Sequence, residues 1–233
     1  DNNFPTAAGL ASSASGLAAV ALASAAACGL KIAPRELSAL ARRGSGSACR
    51  SLFGGFVRWD VGSAEDGSDS AARQLHGPDH WDLRVVVAIV SSAKKKASST
   101  DGMGHTRATS PYHEAFLASV EGDLADAEAA IAARDFAALG RVAERSCLRM
   151  HADMLAADPA LSYLRPASWR VIEAVRELQA EGVEVFFTAD AGPNIKLFCQ
   201  PGALPAVRAA LAGLGELEGT LETGLGGDAV VLP

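Results

Sequence analysis

Two kinds of residue in this 233-residue chain could do chemistry together: hydroxyls and cations gathered on Gly/Ser turns, and a carboxylate closing an apolar strand. The first turn is Pro5-Thr6-Ala7-Ala8-Gly9-Leu10-Ala11-Ser12-Ser13-Ala14-Ser15-Gly16, whose small residues let backbone approach a bulky anion. Ser12, Ser13 and Ser15 add hydroxyl donors. From Ser13 to about Cys28 nearly every residue is Ala, Leu, Val or Ser, which predicts a buried helix. Unpaired N–H groups in its first turn, together with the helix dipole, favour an anion. No Gly-Lys-Ser/Thr follows, so this is not a Walker loop. An Ala-rich core helix that starts after a turn fits the same residues equally well.

The second turn, Gly44-Ser45-Gly46-Ser47-Ala48-Cys49-Arg50, is more specific. Ser45 and Ser47 can turn hydroxyls outward from glycine hinges, and the Arg50 fork can grip a carboxylate at two points. A capping serine beside a surface arginine is the plainer alternative. Asp190 follows an apolar strand and precedes Ala-Gly-Pro-Asn, a position suited to a general base or to an aspartate closing a hairpin. Lys94, Lys95 and Lys96 stand before Ser98-Ser99-Thr100. They read as a solvated cluster or as part of a lid over phosphates. His151 reads as a packed helix histidine. His76, His80, His105 and His113 lack metal-ligand spacing.

The bulk numbers narrow the classes. Hydrophobic residues make up 49% and mean hydropathy is +0.15, enough for a core. A net charge of −6 argues against non-specific nucleic-acid binding, so clustered cations would serve a small anion. Cys28, Cys49, Cys147 and Cys199 lack CxxC spacing and read as reduced thiols. No stretch predicts a membrane span.

The elements that must position these groups follow from periodicity and punctuation. Helices are expected over 13–28 and from Pro34 to the Arg42-Arg43-Gly44 stop, then a short helix carrying Arg50. Strands are expected at Phe56–Trp59 and Ala71–Leu75. Leu83–Ser91, an unbroken β-branched run, predicts a central strand buried on both faces. No element is assigned to 98–103. Helices follow at 111–134, 136–155 and from Pro166 to about Glu181, the last with Trp169, Ile172, Val175 and Leu178 inward. A hairpin pairs Glu184–Ala189 with Ile195–Cys199. A helix at Ala203–Leu211 and strands near Leu217–Glu222 and Ala229–Leu232 complete an α+β sandwich with helices on one face.

Asn2-Asn3-Phe4-Pro5-Thr6-Ala7-Ala8-Gly9-Leu10-Ala11-Ser12-Ser13, Gly44-Ser45-Gly46-Ser47-Ala48-Cys49-Arg50-Ser51-Leu52, Ser98-Ser99-Thr100-Asp101-Gly102-Met103 and Asp190-Ala191-Gly192-Pro193-Asn194 resemble the diphosphomevalonate decarboxylase family. That family lies within the galactokinase, homoserine kinase, mevalonate kinase and phosphomevalonate kinase (GHMP) superfamily. The resemblance runs from Asp1 to at least Cys199. It implies a GHMP-kinase-like two-domain α/β sandwich. Residues 1–82 would be the remainder of a truncated N-terminal domain of the ribosomal protein S5 domain 2-like type. Residues 83–233 would form a ferredoxin-like α+β domain carrying the catalytic aspartate.

The activity implied is ATP-dependent decarboxylation of (R)-mevalonate 5-diphosphate to isopentenyl diphosphate, with ATP and Mg²⁺, in a cytoplasmic homodimer that engages neither nucleic acid nor membrane. On the matching positions, Asp190 would face the 3-hydroxyl and Arg50 would hold the carboxylate, both catalytic. Ser45 and Ser47 would bind substrate beside Arg50. Gly9, Leu10, Ala11, Ser12, Ser13, Lys95 and Ser98 would contact ATP phosphates, with Ser13 a candidate Mg²⁺ contact. The family's N-terminal segment, with a lysine and a tyrosine for the substrate diphosphate, is expected upstream of this chain. Thr100 stands where some bacterial members carry arginine. The alternatives are a sister mevalonate-phosphate decarboxylase, a 3-kinase, and a truncated chain that binds anions without catalysis.

Overall fold

The computed structural model describes residues 10–93 and 98–232. They form two compact units, Ala11–Asp82 with residues 225–232, and Leu83–Gly224. The sequence division had assigned the closing residues to the second part.

In the first unit, α1 spans Ser12–Ala27 and α2 spans Pro34–Gly44. Pro34 starts α2 at a position where its missing N–H costs nothing, and Glu36 Oε2 accepts from Ala33 N at 3.3 Å. A 3-10 turn, Gly46–Cys49, precedes a hairpin of β1 (Phe56–Asp60) and β2 (Ala71–His76). Ser38 is fully buried and joins three of these elements. Its Oγ donates to Cys49 O at 3.0 Å and accepts from Ala72 N at 2.8 Å. Ala18, Ala25, Leu37, Ala41, Ala48 and Leu52 form the core.

Two expectations for this unit fail. The first helix is not buried: only Ala14, Ala18 and Ala25 are, and Val20 is 58% exposed. Its apolar residues are spread around the helix, so contact with α2 and the 3-10 turn covers one side. No strand forms at 229–232. That segment is anchored by a few hydrogen bonds, Gly55 N to Gly226 O at 2.9 Å, Ala229 N to Leu52 O at 3.1 Å and Gly54 N to Asp228 Oδ1 at 2.7 Å.

In the second unit β3 (Arg84–Ile89), β4 (Val185–Thr188), β5 (Ile195–Cys199) and β6 (Gly219–Thr223) form an antiparallel sheet ordered β4-β5-β3-β6. β3 has a partner on each side, and Val85 to Ala88 are all buried, which is why its apolar run does not alternate. α6 (Pro166–Ala180) and α7 (Leu204–Ala212) pack Val171, Val175, Val207 and Leu211 against Val86, Phe187 and Leu197.

α5 (Phe136–Leu155) serves the outer edge of β4 instead. Its Glu144 accepts from Phe187 N at 3.3 Å and from Gln179 Nε2 at 2.8 Å, and pairs with Arg176. An open strand edge invites pairing with other chains, and these side chains cover it. α4 (His113–Ala133) lies before α5, and Arg134 takes the left-handed conformation between them.

Two further differences concern helices. Ser99–Thr109 forms a helix, α3, in a stretch to which the sequence assigns no element. It closes against Tyr163, and a Cβ at Gly102 would lie 2.3 Å from the Tyr163 hydroxyl. Trp169 is 43% exposed, and Val171 takes the inward position expected for it. All four cysteines are free thiols. Among the described residues, no helix is long and apolar enough to cross a membrane.

The closing segment gives a test of packing. A Cβ at Gly54 would lie 2.5 Å from the Gly227 carbonyl carbon. Gly54→Ala is expected to destabilise the first unit by about 1–3 kcal/mol, read from urea denaturation. An unchanged midpoint would show that residues 225–232 do not dock there.

Candidate functional site

The candidate residues fall on both units, and each unit builds its share locally. In the first, Ala11 occupies the N-cap of α1 at φ 55°. That conformation costs an L-residue about 1–2 kcal/mol. Alanine has no side-chain acceptor, so the N-cap residue makes no side-chain capping bond, and the first turn has no acid. Ala14 N and Ser15 N reach back to Ala11 O at 2.9 and 3.3 Å. Ser13 is exposed, and its Oγ lies 3.4 Å from Ser45 Oγ. The fold thus joins the start of α1 to the second Gly/Ser turn, 32 residues on.

Ser47 and Ser45 carry the carbonyls that close that turn, Arg50 N bonding Ser47 O at 3.2 Å and Ala48 N bonding Ser45 O at 2.9 Å. Gly46 is needed here because a Cβ would meet the Trp59 ring at 2.9 Å. Arg50 is exposed, with its guanidinium carbon 6.0 Å from the centroid of Trp59. Among the described residues no carboxylate pairs with it. Cys49 is buried beneath, and burial pushes its thiol up, against the lowering effect of Arg50. Gly9, Lys95 and the neighbouring lysines lie outside the described residues. Leu10 is half-buried in the bend before α1.

In the second unit the turn Asp190–Asn194 is held from several directions. Asn194, fully buried, accepts from Val90 N at 2.8 Å and Ser91 N at 3.0 Å, and donates to Ser91 O at 3.1 Å. Ser168, also fully buried, donates to Pro193 O at 2.6 Å and accepts from Arg165 N at 3.1 Å. From α5, Cys147 Sγ accepts from Ala189 N at 3.2 Å. Asp190 itself reaches outward, 67% exposed, with Oδ2 accepting from Lys196 Nζ at 2.7 Å.

Ser98 does not sit on an open loop. It caps α3, accepting from Asp101 N at 3.1 Å and donating to Asp101 Oδ2 at 2.6 Å. Its hydroxyl is engaged within the helix start, whereas those of Ser13 and Ser45 face one another. Ser168 and Lys196 were not singled out from the sequence, and Asn194 and Cys147 were named there only as a motif residue and a reduced thiol. Lys196 had a signal, as the one charge in Ile-Lys-Leu-Phe-Cys. The others are ordinary residues whose work depends on distant partners.

His151 is buried and its Nε2 has no partner among the described residues. Burial holds its imidazole below the ordinary value, partly offset by the Ala189 hydrogen bond and by Asp190. In the unfolded chain it takes a proton near pH 6.5, which the folded state accepts only at lower pH. Stability is therefore complete above about pH 6.5 and lost as pH falls toward the folded value. Melting between pH 7 and 5.5 is expected to show a smaller loss in His151→Asn than in the parent chain. Equal losses would assign the pH dependence to other groups.

Residues 1–77 match the family model for a diphosphomevalonate decarboxylase-like N-terminal domain. Residues 85–223 match the model for a mevalonate 5-diphosphate decarboxylase C-terminal domain. The chain is 44% identical over 201 residues to diphosphomevalonate decarboxylase of Homo sapiens, covering 84% of this chain and 50% of the human one. It is similar to the mevalonate diphosphate decarboxylase of Enterococcus faecalis, in a structure on mevalonate diphosphate mediated ATP binding. There the TM-score is 0.85 at 39% identity, over 97% of this chain and 68% of the other. A structure of MDDEF in complex with MVAPP, AMPPCP and magnesium gives a TM-score of 0.88 at 40% identity, with coverages of 97% and 68%. The chain spans about half the length of the curated relatives it matches.

Proposed function

The chain belongs to the diphosphomevalonate decarboxylase family, and on that premise we propose that it serves the ATP-dependent decarboxylation of (R)-mevalonate 5-diphosphate to isopentenyl diphosphate. ADP, phosphate and carbon dioxide are the other products. The observation that carries this reading is the likeness to a relative solved with MVAPP, AMPPCP and magnesium, extending over 97% of this chain.

The chemistry accounts for the residue types. Mevalonate has no carbonyl placed to accept the electrons of a departing carboxylate, so direct loss of carbon dioxide is slow. Transfer of the γ-phosphoryl to the 3-oxygen, with loss of the hydroxyl proton, makes a leaving group. The carbon–oxygen bond then breaks, phosphate departs, and the carboxylate carbon–carbon bond supplies the electrons of the new double bond. Phosphoryl transfer itself rests on positioning and charge neutralisation. Donors fixed beforehand stabilise the developing charge, and loss of one typically costs about 3 kcal/mol of barrier.

In this reading Asp190 orients the 3-hydroxyl and takes its proton, and Arg50 holds the substrate carboxylate bidentately. Ser45 and Ser47 bind substrate. Ser12, Ser13 and the α1 start, with Leu10 and Ala11, take nucleotide phosphates, and Gly9, Lys95 and Ser98 join them. Ser13 offers a hard oxygen of the kind Mg²⁺ takes, and the ion supplies charge neutralisation when bound. Residues 1–82 and 83–233 are read as the two domains. The protein is read as a cytoplasmic homodimer acting in isoprenoid and sterol precursor synthesis, as the resemblance implies.

The test supplies the full-length protein with Mg·ATP and each mevalonate phosphate and measures carbon dioxide and ADP. Asp190→Ala is expected to lower turnover about 10²- to 10⁴-fold with nucleotide affinity nearly unchanged. Equal loss of both would give Asp190 a structural role. Arg50→Lys is expected to lower kcat/KM roughly 10- to 100-fold, since a point charge cannot replace a fork. Wild-type rates would remove Arg50 from the mechanism. Release of ADP without carbon dioxide would make the protein a kinase.

A further inference from the structure

The Asp190 carboxylate has a built partner on its own hairpin. Lys196 Nζ donates to Asp190 Oδ2 at 2.7 Å, and the two side chains differ sharply in exposure, 13% for the lysine and 67% for the aspartate. A pair exposed on both sides would say little. Here the ammonium is largely withdrawn from water and the carboxylate is not. An ammonium so placed needs a carboxylate against it, which gives Asp190 a fixed tether.

The sheet fixes the other end of that tether. Lys196 lies on β5, opposite Thr188 of β4 on one side and Val87 of β3 on the other. Cross-strand partners point to the same side of the sheet, so Thr188 and Lys196 share a face, and Asp190 follows two residues after β4 ends. Behind the pair, Cys147 holds the Ala189 backbone. The backbone entering Asp190 is thus fixed by α5, and one oxygen of its side chain is fixed by Lys196.

We propose that Lys196 is a positioning residue that sets the orientation of the Asp190 carboxylate for the reacting 3-hydroxyl. This rests on the function proposed above. A two-thirds exposed aspartate samples several rotamers, and reaction requires one of them. Holding Oδ2 restricts that sampling before substrate arrives. The ammonium also offsets repulsion between Asp190 and an incoming polyanion, so the carboxylate can remain in place beside phosphates. Lys196, with little exposed surface, acts through Asp190 and not as a phosphate ligand.

The test uses the full-length enzyme with Mg·ATP and mevalonate 5-diphosphate. Lys196→Met is expected to lower kcat about 10- to 100-fold, the cost of a misplaced catalytic group, with both KM values within about threefold of the parent. Lys196→Arg, which keeps the charge and the donor, is expected to recover most of kcat. In an Asp190→Ala background, Lys196→Met is expected to change residual turnover by less than about twofold, since coupled groups are not additive. If Lys196→Met does not fold, Lys196→Gln is held to the same split.

Three results overturn the proposal. One is parental kcat in Lys196→Met or Lys196→Gln. The second is a KM rise with kcat retained, which would place Lys196 on substrate. The third is an equal fold-loss with and without Asp190. Full turnover in Asp190→Ala alone would overturn the functional reading itself, and is distinguishable because it needs no change at Lys196.

Discussion

The side-chain amide of Asn194 has no exposed surface, so its polar atoms need partners inside the protein. It finds them on the backbone leaving β3, at Val90 N, Ser91 N and Ser91 O. The central strand of the sheet is thereby pinned to the turn that carries the catalytic candidate. Ser168 adds a second fixed point from α6 and Cys147 a third from α5. Without these an Ala-Gly-Pro turn has many shapes. With them, Asp190 is the exposed residue of Asp190–Asn194, and its neighbours are anchored in the core. The price of that precision is a set of buried polar groups, each of which costs free energy if its partner is lost.

The first unit achieves fixity differently. Its candidate donors sit on backbone ends and short turns, where Ala11, in a left-handed conformation, offers no side-chain cap of its own to α1. Ser13 and Ser45 converge because α1, α2 and the 3-10 turn share a small alanine-rich core. Alanine brings helices close, and close helices bring their ends close. Arg50 then extends past the Trp59 ring with its fork exposed.

Much of this was legible, and the failures have physical causes. Val85 to Val90 could be read as a central strand because burial on both faces leaves no alternation to find. Pro34 and Pro166 marked helix starts because proline's lost N–H is harmless there. The helix Ser99–Thr109 does not show in the sequence because its Gly, Ser and Thr content has weak helix propensity, and packing of Gly102 on Tyr163 supplies what propensity does not. Ala-Val-Val-Leu at 229–232 has strand composition but no continuous strand partner. Asp190 and Arg50 were visible in local motifs. The partners of Lys196 and Asn194 were not, since the first works across a hairpin and the second across 104 residues.

Charge makes the local arrangement necessary. At −6 overall, the chain repels a polyanion at long range, though salt screens that field beyond roughly 8–10 Å. In the proposed reading, affinity for phosphates must therefore come from short-range donors, such as the facing hydroxyls of Ser13 and Ser45 and the exposed guanidinium of Arg50. A carboxylate that stood bare would itself repel an anion. Asp190 escapes this conflict because it does not stand bare. Lys196 lies against one of its oxygens, so the pair presents little net charge to an anion while leaving the aspartate side chain open to a hydroxyl. A base can be kept beside phosphates if its counter-charge is built into the strand that follows it.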